Sequence, residues 1–151
     1  MLFRSFARGL GFARMGDVAS AQKEVSQLAL LRDARAEKKD TYWSNQVEVQ
    51  KLTVNGWIAL AQGARDDALK SMRTAADLED SMEKHIVTPG PVVPARELLG
   101  EMLLETMQPA DALAAFEASA KREPNRLRGI YGAAQAAALS GDHVKIGRAH
   151  V

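Results

Sequence analysis

Apolar residues recur every three or four positions through most of this chain, the period that lines them up on one face of a helix. The pattern is clearest in PARELLGEMLLETMQPADALAAFEASAKREPN, residues 94–125. Leu99, Leu103 and Met107 share a face of a helix expected from Ala95 to Met107, and Leu113, Phe116 and Ala120 do so on a second from Pro109 to Arg122. A tight turn at Gln108 joins them, and Pro124 stops the second, because proline cannot continue a helix. Gly100 and Ala112 sit between the two faces, where small side chains let antiparallel helices approach closely. Such a hairpin cannot bury its apolar stripes alone and needs neighbours.

The same period marks further helices on either side. From the N-terminus, a helix is expected to run up to a turn at Gly16, after which Asp17 caps a longer one from Val18 to about Lys38 carrying Ala21, Val25, Leu28 and Leu31 on one side. Its mixed-charge end, RDARAEKKD, reads as a solvated helix terminus. Asp40-Thr41 caps another helix through Tyr42, Trp43, Val47, Val49, Leu52, Ile58 and Leu60 towards Gln62; Gly63 turns the chain, and Arg65 to Met82 follows. In EKHIVTPGPVV, residues 83–93, the period is lost, and Pro89, Gly90, Pro91 and the following Pro94 predict an extended or turn-containing linker. Beyond the hairpin, Leu127 to Ser140 begins one more helix before Gly141 and Asp142.

Gly100, Leu103, Ala112, Phe116 and Pro124 stand at the spacing of a tetratricopeptide repeat, and the hairpin resembles one; Arg96, Met107 and Ser119 depart from the family's aromatic, glycine and small residue. Gly9, Phe12, Gly16 and Ala21 fall in the same phase, as do Gly56, Ala59, Gly63, Ala68, Met72 and Ala75, and Ala134, Ala137 and Gly141. The resemblance implies an all-α fold, an α-solenoid of antiparallel helix hairpins in a right-handed superhelix. It divides the chain into a diverged repeat at 2–38 with a long second helix, a repeat at 41–82, the proline-rich linker at 83–93, a repeat at 94–126 and a truncated repeat at 127–145. The last residues, 146–151, read like translated adapter sequence and are expected to be a non-native tail, outside any functional argument.

Composition narrows the function classes. Of 151 residues 46% are apolar and only 5% aromatic, an Ala/Leu-rich balance that favours helices. Twenty basic residues against nineteen acidic ones leave no basic surplus of the kind nucleic-acid binding shows. Cysteine is absent, which excludes disulfides, thiolate catalysis and Cys-based zinc sites without identifying a compartment. No apolar run is long enough to span a membrane. The acid-free MLFRSFARGLGFARMG has the composition of an amphipathic transit peptide; the shared repeat phase reads it instead as a first helix, with Met1 an internal methionine.

No catalytic motif occurs. Gly9 and Gly11 lack the third glycine and preceding strand of a dinucleotide loop, and GxxxxGK[ST], GxSxG and HExxH are missing. His85, with Asp80 and Glu83 nearby, is a candidate metal or proton-transfer site, but it has no second histidine in reach and reads as an ordinary loop residue. Tyr42, Trp43, Trp57 and Tyr131 lie at helical spacing, where packing explains them better than ligand stacking. No cofactor and no metal site is expected.

The resemblance also implies where a partner binds, since the family lines its concave wall with the first helix of each pair. Here that wall comprises Phe3, Phe6 and Leu10, then Gln50, Thr53 and Trp57, then Glu97, Glu101 and Glu105, then Arg128, Tyr131 and Gln135. Glu97, Glu101 and Glu105 stand four apart, so three carboxylates share one side of a helix and repel by a few tenths of a kcal/mol per pair unless cations offset them. They are either a solvated acidic face, a docking stripe for a basic peptide, or the partner of Arg128. Some members of the family hold acidic tails in a Lys/Arg/Asn clamp on this wall; acidic and apolar residues stand in its place. The expected function is a non-catalytic scaffold that binds a neutral or basic peptide or protein segment with an apolar anchor near Trp57. The alternative is the regulatory or targeting portion of a larger protein, and apolar surface on Leu127 to Leu139 is expected to favour self-association.

Overall fold

The computed structural model describes residues 2–83 and 91–141 and is all-α: α1 (Leu2–Arg14), α2 (Val18–Glu37), α3 (Thr41–Ala61), α4 (Arg65–Ser81), α5 (Ala95–Glu105), α6 (Pro109–Arg122) and α7 (Leu127–Ser140). Two of the starts are set by the caps expected from the sequence. Asp17 accepts from Ser20 N at 3.0 Å and Asp40 from Trp43 N at 3.4 Å, each filling one of the amides that a first helical turn leaves without a partner. At α6 the proline at N1 does similar work by removing such an amide.

One turn geometry recurs. After α1, Asp17 N reaches back to Phe12 O at 2.9 Å around Gly16, whose φ is +80°. After α3, Ala64 N reaches Ala59 O at 2.9 Å around Gly63, φ +79°; after α5, Gln108 N reaches Leu103 O at 2.8 Å around Met107, φ +59°. This is the C-terminal motif in which a left-handed residue folds the chain back over the last helical carbonyls. One expectation is corrected by it: α5 ends at Glu105, and Met107, 76% exposed, is not the last apolar residue of the α5 face but the left-handed residue at the place where the resemblance puts a glycine. The turn expected at Gln108 lies between the helices, with Gln108 the N-cap of α6.

The chain divides into two compact units at Ile86/Val87. In the first, α1 packs on α2, α2 on α3 and α3 on α4, and α1 also meets α3 directly. Phe6, Ala13, Ala21, Leu28, Val47, Val54, Ala68, Met72 and Ala75 fill its interior. Close approach is made possible by small residues on the first helix of each pair. A Cβ at Gly56 would stand 2.9 Å from Met72 Cγ, and one at Gly9 3.2 Å from both Glu24 Cβ and Val54 Cγ1.

The second unit repeats the scheme, with α5 on α6, α6 on α7 and α5 on α7. Phe116, fully buried, is its centre: a Cβ at Gly100 on α5 would lie 2.7 Å from the ring, and one at Gly132 on α7 would overlap it. Leu98, Leu99, Met102, Leu103, Ala112, Leu113, Ala136 and Ala137 are buried in the same unit. On α6 the expected Ala120 faces solvent and Ser119 is buried instead, one position round the helix, because α7 as well as α5 packs on it. The linker expected at 83–93 is described only at Glu83 and from Pro91 on; residues 84–90 and 142–151, and with them the expected tail, lie outside the described residues.

Candidate functional site

The carboxylates on α5 and the arginines that open α7 form a charged cluster in the second unit. Helical spacing brings Glu97, Glu101 and Glu105 to one side of α5, and the packing of α7 on α5 sets Arg126 and Arg128 against them. Arg126 Nε donates to Glu97 Oε1 at 2.8 Å and its Nη2 to the Val92 carbonyl at 3.0 Å. Arg128 forms a two-pronged pair with Glu101, Nη2 to Oε2 at 2.8 Å and Nε to Oε1. Such forked contacts suit guanidinium and carboxylate geometry.

Glu97 is the inward member. It is 1% exposed, with Oε2 given no hydrogen bond, and it lies so close to α7 that a Cβ at Gly129 would stand 3.1 Å from Oε1. Burial pushes its carboxyl above the ordinary glutamate value; Arg126, and more weakly Arg128, oppose that, while Glu101 reinforces it. Arg128 is held above its ordinary value by the hydrogen bond to Glu101. The outward-facing stripe expected at Glu97, Glu101 and Glu105 is therefore corrected at Glu97. Glu101 takes up the alternative of pairing with Arg128, and Glu105 is exposed.

In the first unit the expected wall is also largely inside. Trp57 is 3% exposed, and Arg14 lies over its ring with the guanidinium carbon 4.2 Å from the centroid. An apolar anchor on an open Trp57 is thus corrected: the packing of α1 on α3 covers it. Gln50, Thr53 and Phe6 are buried as well, whereas Phe3 is half exposed. Tyr131 and Gln135 on α7 face solvent.

Sequence reasoning missed Arg126, Gly129 and Gly132. A signal for Arg126 was present in the Arg-Leu-Arg that opens α7, since cations on a neighbouring helix are what would offset the repulsion within the α5 stripe. No group of three or more His, Asp or Glu side chains able to hold a metal ion occurs among the described residues, and His85 lies outside them. Nor is any helix of the described residues long and apolar enough to cross a membrane. No family model, no curated protein and no solved structure matches the chain.

Proposed function

We propose that this chain is a tetratricopeptide-like α-solenoid that serves as a non-catalytic scaffold, binding a peptide or protein segment along its first helices. One observation carries the reading. In both units a small residue on the first helix makes room for the second, and a left-handed residue follows seven positions later: Gly9 and Gly16, Gly56 and Gly63, Gly100 and Met107. A repeated supersecondary unit with a repeated turn is the elementary unit of a solenoid.

The partner is a neutral or basic segment. Glu105 remains exposed on α5, and Tyr131 supplies the apolar contact that buried Trp57 does not. Glu97 and Glu101 act through Arg126 and Arg128, holding α7 in place rather than meeting the ligand. Selection of random linear peptides against the folded chain tests this. Enriched peptides are expected to perturb amide resonances of α5 and α7 and to weaken by roughly tenfold on Tyr131→Ala, the loss typical of an aromatic contact at the centre of an interface. Peptides that map to α6 alone, or no enrichment over an unfolded control, would defeat the proposal.

A further inference from the structure

The two oxygens of the buried Glu97 carboxylate stand in different surroundings. Oε1 accepts from Arg126 Nε at 2.8 Å, and a Cβ on Gly129 would come within 3.1 Å of it, so the α7 backbone closes over that side. Oε2 is equally out of water and takes no hydrogen bond. An ionised carboxylate offers acceptor sites on both oxygens and has no proton of its own to give. Half of those sites face no donor here, and a buried charge so short of partners favours its neutral form.

Arg126 joins three places at once. It is the N-cap residue of α7, its Nε binds Glu97 on α5, and its Nη2 donates to the Val92 carbonyl in the segment that leads into α5. The amide of Ile130 donates to Arg126 O at 3.0 Å, the first rung of α7. A proton added at Oε2 disturbs neither Arg126 bond, because neither uses that oxygen, and the neutral acid still accepts through Oε1. The Arg126 side chain is 30% exposed, so its charge stays in touch with water when Glu97 has none. Protonation thus removes the buried negative charge and leaves the contact between the helices whole. Burial is the largest influence on Glu97 and favours the neutral form; Arg126 and Arg128 of α7 favour the ionised one, and Glu101 of its own helix opposes them. The α6 helix, packed on both, supplies none of these three charges.

We propose that Glu97 and Arg126 form an acid-tightened latch that sets how firmly the N-terminal end of α7 stays on α5, closed with a proton on Oε2 and loosened when that proton leaves. Parting of α7 from α5 returns Glu97 to water and to its ordinary affinity for protons, so opening is linked to proton release. The neighbouring pair of Arg128 and Glu101 lies nearer the solvent, with the Arg128 side chain 46% exposed, and does not gate the contact. The latch acts locally on α7, beyond the share Glu97 has in overall stability, and is independent of what α7 binds.

The test is a titration of the isotope-labelled full chain from about pH 4 to about pH 7, the range in which a raised glutamate loses its proton. The carboxyl carbon of Glu97 is expected to titrate above the ordinary value of 4.5. Protection of the Ile130 and Tyr131 amides from exchange, corrected for the intrinsic pH dependence of exchange, should be highest at the acid end, fall through that same midpoint and then level. In Glu97→Gln the fall should vanish; in Glu101→Gln it should remain. Arg126→Ala is expected to raise the opening of α7 about a hundredfold at pH 7, the effect of stripping a buried charge of its partner, and by less at pH 4. A Glu97 midpoint at or below 4.5, protection that rises with pH, or a fall that persists in Glu97→Gln would overturn the proposal. The titration of the natural chain decides the first two outcomes even if a variant fails to fold.

Discussion

At the scale of single residues, the chain distinguishes three kinds of glycine position by what surrounds them. Gly100 is a contact position: an added methyl meets Phe116 at 2.7 Å, with α7 closing the other side of the same ring through Gly132. Gly100→Ala is therefore expected to destabilise by about 1–3 kcal/mol, the usual cost of overpacking, with part of it recovered on combining it with Phe116→Leu. Gly11 is open, so Gly11→Ala should stabilise by about 0.5–1 kcal/mol through helix propensity. Met107 occupies a glycine position without being one. Its φ of +59° costs about 1–2 kcal/mol in a residue with a Cβ, and Met107→Gly recovers this less the greater entropy glycine has when unfolded. A net gain of about 0.5–1 kcal/mol is expected, and urea unfolding of the three variants checks the set. A loss of stability in Met107→Gly would mean that the exposed side chain does something in the fold that its surroundings do not show.

At the scale of elements, the pairs between α5 and α7 differ in what their loss costs. Arg126 answers a carboxylate that is out of water, so Arg126→Ala is expected to destabilise by about 3 kcal/mol; Arg128 pairs nearer the surface, and Arg128→Ala should cost less than about 1 kcal/mol. The pH dependence has a definite sign. Glu97 holds its proton more tightly folded than unfolded, so its contribution is fully present below the ordinary value of 4.5 and falls as pH rises through the raised folded value. Relative to Glu97→Gln, the natural chain should lose stability over that rise and keep a constant difference above it; the opposite slope in denaturant midpoints would contradict the burial argument. The helices themselves were legible in the sequence, and so were the turns at Gly16 and Gly63, because period, caps and glycines are local signals. Pro109 marks the start of α6, which stops short of Pro124, and Gly141 marks the end of α7. What was not legible is which side of α5 faces α7. Glu97 and Glu101 lie on one side of α5, yet one is buried and the other partly exposed, and only the position of α7 decides between them. Trp57 shows the same limit, since its cover comes from Arg14 on a helix far away in sequence.

At the scale of the whole molecule, net charge and exposed apolar surface act together. The chain has a formal charge of +1 and an isoelectric point near 8.0, so long-range repulsion between copies is weakest in mildly alkaline solution. Each unit closes a core of its own, yet α7 keeps Leu127 at 82% and Leu139 at 61% exposure, together with Tyr131. Apolar side chains gathered on one helix favour association when charge does not oppose it. Light scattering across a concentration series is therefore expected to show a rising apparent mass near pH 8, diminishing as the pH is lowered away from the isoelectric point and a growing net positive charge makes the molecules repel. Leu127→Gln with Leu139→Gln changes no charge and should reduce the association at pH 8, whereas Leu30→Gln, at an equally exposed leucine on α2, should not. A monodisperse monomer at every concentration and pH would show that the α7 face is too small to drive association. An equal effect of Leu30→Gln would assign the association to general hydrophobicity instead of to α7.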